Sequence, residues 1–320
     1  MIRDVFKTGY VTRTTRDFRR IIALTAAGFA LSLPLCAPAI AQAPGAPAVA
    51  TNDDAFSRFS VHNPGSRVAI NYDQVDQFIK AVSVRSRGRI KFRYSILREA
   101  GRPYLDRYIG FLEGRDPSLL SKDEQLAYWL NLHNLLVLSA ITQDKPGKSL
   151  KRFRGTPAAP GAGWTEKRVT ISGMALSLSD IEDNIILAQW PGAATVHGLY
   201  QGARGGPAYP ATSFTGKTVT DQLSTAASAA INRRDTISVK KDILSVPAYF
   251  TWYKDRVFGG EEAGYRAHIL DHAEGKLAAK VRATTQIKVK KFSYRVEDEI
   301  VRVQQPLSGS SGVGGGLSGS

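Results

Sequence analysis

The sequence predicts an α+β fold: a helix-rich single globular domain with a small antiparallel sheet and a C-terminal hairpin. The chain has 320 residues, of which 43% are hydrophobic and 22% charged, as in globular proteins large enough to bury a core. Apolar residues recur at helical spacing in several segments. Shorter alternating segments, bounded by glycine or proline, predict the strands.

Two amphipathic helices are predicted before residue 120. Val75, Phe78, Ile79 and Val82 recur at helical spacing, and a similar apolar pattern runs through residues 94–112. Each pattern gives a helix one apolar face, so both helices are expected to cover a core.

A central, buried helix is predicted to begin at Lys122. Ser121 and Glu124 have the S-x-x-E spacing of a capping box, in which each side chain accepts from a free backbone N–H group. The segment from Leu126 to Ile141 is apolar nearly all round, as expected of a helix surrounded by protein.

The second half of the chain predicts further short elements. Residues 168–174 resemble a strand and turn, and Ser179–Glu182 repeats the S-x-x-E signal before another helix. A short apolar run, 195–199, leads into a glycine-rich loop, and helices are expected at about 218–232 and 261–282. Alternation over 287–303 predicts the C-terminal hairpin.

Residues 1–41 predict a secretory signal peptide. A basic region precedes an apolar stretch of about 15 residues and the small-residue site Ala39-Ile40-Ala41. The stretch is shorter than the roughly 18 to 20 residues of a membrane-spanning helix, which disfavours the alternative of an anchor. We therefore expect cleavage after Ala41 and a periplasmic location. The expected order is then a linker at 42–55, the globular domain at 56–306 and a disordered Gly/Ser tail at 307–320.

The single cysteine, Cys36, lies inside the predicted signal peptide. The mature chain would then have no thiol, hence no disulfide and no cysteine nucleophile. Lipidation of Cys36 is the minor alternative, because Leu35 occupies a position where such signals prefer a small residue. Arg19-Arg20 is compatible with twin-arginine export, and the general secretory route stays open as well.

The charge balance favours an anionic partner. Residues 1–41 have a net charge of +4, so their removal from a total of +15 leaves +11. For an exported protein this points to an anionic envelope surface or a peptide-like ligand, and not to nucleic acid. Five cations alternate from Arg85 to Arg93, so an extended segment would present them on one face; a solvated sheet edge is the other interpretation.

The sequence resembles the domain of unknown function 547 family. The resemblance rests on Tyr128–Asn134 (YWLNLHN), Leu176–Glu182 (LSLSDIE), the His197 segment with its glycine loop, and Trp252-Tyr253, and extends over roughly residues 72–300. Many members of that family carry a cysteine two residues after a motif like Val196–Leu199 and another just before the following proline. The corresponding residues here are Gln201 and Gly206, so the resemblance implies that any thiol chemistry is absent.

His197 and Glu182 are the candidate catalytic residues. Imidazole titrates near neutral pH, so His197 is a candidate general base, although a buried, hydrogen-bonded histidine is the competing interpretation. Glu182 is either a general acid or base, or the capping carboxylate of its own helix. Catalysis would require both side chains to converge on one accessible pocket.

Five residues are candidates for ligand binding: Trp129, Asn131, Asn134, Gln201 and Arg204. Asn131 and Asn134 share one face of the predicted buried helix, where amides most often bind backbone groups of neighbouring loops. No cofactor is implied. His268 and His272 have a spacing that can chelate zinc, but no third ligand is evident, so no metal site is predicted.

Two functions remain open at this level. The favoured hypothesis is an exported envelope protein that acts as a non-catalytic binding or structural module, because the family cysteines are missing. The alternative is a slow hydrolase of envelope peptides or esters, in which His197 acts as general base.

Overall fold

The computed structural model describes residues 52–298. The signal peptide, Cys36 and the tail at 307–320 lie outside this range. The last four residues of the predicted linker lie inside it, and a helix, Asn52–Ser57, begins there. Among the described residues, no helix combines the length and the apolar character needed to cross a membrane.

Helices dominate the fold, which confirms the predicted α+β class. The α-helices are α1 Asn52–Ser57, α2 Asp73–Val82, α3 Tyr94–Ile96, α4 Arg102–Glu113, α5 Lys122–Asp144, α6 Lys151–Arg154, α7 Ala162–Thr165, α8 Leu187–Gln189, α9 Val219–Ile231, α10 Ala248–Trp252, α11 Lys254–Val257, α12 Glu262–His272 and α13 Lys276–Arg282. Short 3-10 turns lie at Arg58–Ser60, Pro117–Leu119 and Thr195–Gly198, and π-helical segments at Leu97–Gly101 and Asp180–Ile186.

Helix α5 is the centre of the core, as predicted. The Ser121 hydroxyl accepts from the backbone N–H of Glu124 at 3.3 Å, which satisfies one of the free donors of the first turn. Every residue from Glu124 to Thr142 is buried, and the helix ends where Lys145 adopts a left-handed conformation, with φ of 47°. Helices α4 and α9 and both π-helical segments pack against α5, which presents apolar side chains in all directions.

Glu124 corrects the capping-box prediction. Its carboxylate accepts from the backbone N–H groups of Ile70, at 2.8 Å, and Gly216, at 2.7 Å. These two segments flank α5, so the carboxylate joins distant loops and does not close the first turn of its own helix.

The strands form small sheets. β1 Ser83–Ser86 pairs with β2 Arg89–Phe92, β3 Gly155–Thr156 with β4 Ala159–Pro160, and β5 Lys167–Ile171 with β6 Met174–Ser177, all antiparallel. Arg87 and Gly88 form the turn between β1 and β2, so the alternating cations do not share one extended face. Arg89 points inward and is only 8% exposed.

The predicted C-terminal hairpin is wrong in the described part of 287–303. Strand β9, Gln286–Val289, pairs in parallel with β8, Ile243–Val246, which also pairs with the antiparallel β7, Ser238–Lys240. The following residues form isolated bridges, including Arg295 with Ser149 and Val296 with Ala203. This segment therefore pairs with the glycine loop at 202–207, and the backbone N–H groups of Arg204 and Gly205 donate to its carbonyls.

Candidate functional site

Glu182 lies in the core and does not cap its helix. Ser179 makes no capping hydrogen bond, whereas the Ser177 hydroxyl accepts from the backbone N–H of Asp180 at 3.1 Å. The π-helical turn Asp180–Ile186 directs Glu182 inward, where it is 1% exposed. The capping interpretation of Glu182 is therefore wrong.

The Glu182 carboxylate binds side chains from across the chain, which we call the Glu182 cluster. Arg154 Nη2 donates to Oε1 at 3.1 Å, and the Tyr253 hydroxyl donates to the same oxygen. The other oxygen accepts from Gln201 Nε2 at 3.0 Å and Trp164 Nε1 at 3.3 Å, and His133 Nε2 lies 3.3 Å from it. Both carboxylate oxygens are thus fully engaged.

Arg154 balances the charge of Glu182. Its guanidinium carbon lies 4.4 Å from the centre of the Trp252 ring and 5.2 Å from that of Trp164, where the ring faces attract a cation. Its Nε donates to Gln201 Oε1 at 2.6 Å. Gln201 therefore uses its carbonyl oxygen for Arg154 and its amide nitrogen for Glu182.

Electrostatics keep this cluster ionised. Burial opposes the charge on Glu182, but Arg154, with His133 and Tyr253, outweighs it and lowers the pKa of the carboxyl. The next residue, Asp183, has its pKa raised to about 6, chiefly by burial and secondly by the negative charge of Glu182. Burial, reinforced by Glu182, raises the pKa of Tyr253 well above its ordinary value, so the phenol stays protonated and donates.

The two asparagines of α5 hold adjoining loops. Asn131 exchanges two hydrogen bonds with the backbone of Phe214, at 2.8 and 2.9 Å. Asn134 donates to the Gly198 carbonyl at 3.0 Å and accepts from the N–H of Tyr200 at 2.9 Å. Both amides satisfy buried backbone groups, in agreement with the structural interpretation of these residues.

His197 contacts a different set of residues from those of the Glu182 cluster. Its Nε2 lies 2.9 Å from Nε2 of His268, and its ring meets Tyr249 and Phe250 edge to face. Only 2% of His197 is exposed. Burial and the neighbouring His268 lower its pKa well below the ordinary value, so the ring is neutral. Within residues 52–298, His197 and Glu182 share no hydrogen-bond partner, and each is at most 2% exposed.

The histidine pair of α12 is engaged within the protein. His268 Nε2 faces His197, and His272 Nδ1 lies 3.1 Å from the Ser228 hydroxyl. Burial lowers the pKa of His268 to about 4. In the described part of the chain, no group of three or more His, Cys, Asp or Glu side chains is arranged to hold a metal ion.

A cationic pocket of about 220 Å³ lies beside the glycine loop. Its charged lining residues are Arg89, Arg204, Arg233, Lys290, Lys291 and Asp235. Arg89 is neutralised by a buried ion pair with Glu297, and Arg233 Nε donates to Asp235 at 2.9 Å. The side chains of Arg204 and Lys291 are exposed and make no polar contact with the described residues. They leave excess positive charge at the opening.

Tyr249 contributes an unpaired hydroxyl to the same pocket. The side chain is 2% exposed and lines the pocket, and its hydroxyl has no hydrogen-bond partner among the described residues. Burial raises the pKa of Tyr249, so the hydroxyl stays protonated at physiological pH and can donate a hydrogen bond. A buried donor without an acceptor is destabilising and marks a position that a ligand oxygen can satisfy.

The structure separates the sequence-predicted residues into distinct places. Gln201 and Glu182 meet in the buried cluster, and Arg204 lines the cationic pocket. Trp129 is fully buried against Phe59 and Tyr128, away from that pocket. Sequence reasoning did not single out the other contributors, His133, Arg154, Trp164, Tyr253, Arg233, Tyr249, Lys290 and Lys291. Of these, only His133 and Tyr253 stood in motifs that carried the family resemblance.

Comparison with known proteins confirms the resemblance over residues 117–229 of the predicted 72–300. Residues 117–229 match the model of the family described as "Protein of unknown function, DUF547". The matched region holds several members of the Glu182 cluster, including Gln201, but not Tyr253 or most of the cationic pocket. No curated protein and no solved structure matched the chain.

Proposed function

We propose that this protein, whose residues 117–229 match the DUF547 family, is exported to the periplasm and serves there as a non-catalytic binding module for an anionic partner. The cationic pocket beside the glycine loop carries the proposal. Its unpaired cations, Arg204 and Lys291, stand at the opening of a cavity, where low-dielectric walls strengthen attraction for an anion. The net charge of +11 on the predicted mature chain would bring anionic envelope surfaces towards it.

The state of the candidate catalytic residues supports a binding role over hydrolysis. Glu182 is committed to Arg154 and Tyr253, and its lowered pKa makes it a poor base. His197 is buried against His268, and only 2% of it is exposed. Gln201 offers an amide, already hydrogen-bonded, where a nucleophile would be needed.

Binding to anionic envelope material tests the proposal. The purified mature protein is mixed with lipopolysaccharide and with wall fragments, and the bound fraction is measured as salt is raised. We expect the double variant Arg204→Glu, Lys291→Glu to lose at least about tenfold in affinity, since two attractions at the opening become repulsions. The matched control, Arg67→Glu with Lys276→Glu, makes the same change in net charge at exposed residues outside the pocket.

Equal losses in the two double variants would show that only the overall charge matters, and the pocket would be rejected as the binding site.

The same preparations are assayed against a panel of esters and amides. Robust turnover that disappears in a well-folded His197→Ala variant would favour the hydrolase instead.

A further inference from the structure

We infer that the cationic pocket recognises a terminal phosphoryl group, the end of a phosphate monoester, in preference to a carboxylate. This inference rests on the proposed anion-binding function and names the chemical class of its ligand. Four features of the pocket support it: its excess positive charge, its unpaired hydroxyl donor, the prior engagement of the loop's backbone N–H groups, and its size.

The charge of the pocket exceeds what one carboxylate can neutralise. Glu297 and Asp235 offset Arg89 and Arg233, which leaves the charges of Arg204, Lys290 and Lys291. A carboxylate brings one negative charge, whereas a phosphate monoester brings about −1.5 to −2 at neutral pH. The more highly charged anion is therefore the better electrostatic match.

The free donors of the pocket match an anion with several oxygens. Arg204 carries a planar guanidinium that can donate two parallel hydrogen bonds, and Lys291 adds a mobile ammonium group. The buried Tyr249 hydroxyl is a third, independent donor that has no acceptor within residues 52–298. A phosphoryl group offers three acceptor oxygens, whereas a carboxylate has two.

Side chains, and not the backbone of the glycine loop, must hold the anion. The N–H groups of Arg204 and Gly205 donate to the carbonyls of Arg295 and Ser293, both at 2.9 Å, and that of Gly206 donates to Ala203 at 3.1 Å. Gly205 permits this close packing, because a Cβ atom there would lie 2.4 Å from the backbone nitrogen of Ser293. The loop is therefore a wall of the pocket and not a phosphate-cradling loop of the kind found in nucleotide-binding proteins.

The pocket has room for an end group only. Its volume of about 220 Å³ is below the range of roughly 300 to 1,000 Å³ that encloses a drug-sized ligand. The rest of the ligand must lie outside, so a terminal monoester is favoured over a diester, whose phosphorus carries substituents on two sides.

Calorimetric titration of the mature protein with phenyl phosphate and with benzoate tests this inference. We expect phenyl phosphate to bind at least about tenfold more tightly at neutral pH. Its affinity should fall as the pH drops below about 6, where the monoester dianion takes up a proton and becomes the monoanion. Equal affinity for the two compounds would overturn the phosphoryl preference and leave anion binding intact. Failure of both to bind, together with unaltered envelope binding by the double variant, would overturn the proposed function itself.

Tyr249→Phe isolates the unpaired donor. We expect about a tenfold loss in affinity for phenyl phosphate with no fall in melting temperature, because the change removes a buried hydroxyl that has no partner among the described residues. The matched control is Tyr265→Phe, which removes another buried, unpartnered hydroxyl that lies outside the pocket. Unchanged affinity in Tyr249→Phe, or an equal loss in both variants, would exclude Tyr249 from the site.

The source of the phosphoryl group is resolved by three further probes. These are inorganic phosphate, vesicles containing phosphatidic acid, which ends in a monoester, and vesicles containing phosphatidylglycerol, which carries only a diester. Capture by phosphatidic acid vesicles would identify a lipid head group, and binding of phenyl phosphate without vesicle capture would identify a soluble ester. Stronger capture by the diester vesicles would contradict the inference.

Discussion

His197 and His268 share one hydrogen bond between their Nε2 atoms, which lie 2.9 Å apart in the core. One ring donates and the other accepts, so the contact exists only while at least one of the facing nitrogens is unprotonated. His272 packs against His268 with ring centres 4.9 Å apart, which adds a third imidazole to the group. The core therefore contains a cluster that cannot be fully protonated without losing its central contact.

Because of this histidine pair, we expect acid to destabilise the folded protein. The pKa of both rings is lower in the folded protein than in the unfolded chain, so the unfolded chain binds more protons below about pH 6.5. The contribution of these neutral histidines to the free energy of unfolding is complete above that pH and is lost as the pH falls towards about 4. For His268 alone, the shift corresponds to roughly 2 kcal/mol lost by about pH 5.

Urea unfolding at several pH values measures this effect. His268→Gln should make the free energy of unfolding less dependent on pH, whereas His62→Gln, at a partly exposed residue outside the cluster, should leave the dependence unchanged. An identical pH dependence in the parent and in His268→Gln would contradict the assignment.

Glu182→Gln should be among the most destabilising single substitutions. The change removes the negative charge that compensates Arg154, whose side chain is as buried as that of Glu182. Loss of one partner from a buried ion pair typically costs about 3–5 kcal/mol, so we expect a loss of that size in the free energy of unfolding.

The matched control for Glu182→Gln is Asp106→Asn. Asp106 pairs with Arg102 one helical turn away, and both side chains are about half exposed, so this pair should contribute less than about 1 kcal/mol. Chemical denaturation of both variants gives the comparison. Similar small losses in the two would mean that the buried cluster tolerates an uncompensated arginine.

The central helix could be predicted because its signals are local. Ser121 lies three residues from the N–H that it caps, and the apolar character of 126–141 is a property of that segment alone. The last strand could not be predicted in the same way. Alternation at residues 286–289 suits any half-buried strand, and its partner, Ile243–Val246, is more than 40 residues away. Sequence pattern identified a strand but not its pairing.

The role of Glu182 likewise depends on residues that are distant in sequence. Its spacing from Ser179 matches a helix cap, and nothing nearby in sequence argues otherwise. The partners that determine its role, Arg154 and Tyr253, are 28 residues before it and 71 after it. The cationic pocket is likewise lined by residues from separate segments, Arg204, Arg233 and Lys291. No single stretch of the sequence therefore predicts it.

No stoichiometric zinc should remain on the purified protein after dialysis. His268 Nε2 is engaged by His197, and His272 Nδ1 by the Ser228 hydroxyl, so chelation would break two existing contacts. Elemental analysis of the parent and of His268→Ala provides the test. Zinc that is bound by the parent and absent from the variant would establish the pair as a true metal site.

The mature protein should begin at Gln42 and carry no acyl chain. Signal peptidase requires small side chains at both alanines of Ala39-Ile40-Ala41, so Ala41→Phe should block processing. The control, Ala48→Phe, places the same bulk beyond the site and should leave cleavage unaffected. Intact-mass measurement of protein from the exporting host distinguishes the outcomes.

A start at Pro44 would move the cleavage site to Ala43, because Ala41-Gln42-Ala43 also has small residues at both positions. Retention of Met1, or a lipid on Cys36, would contradict export by cleavage, and with it the reason for seeking an anionic partner in the envelope.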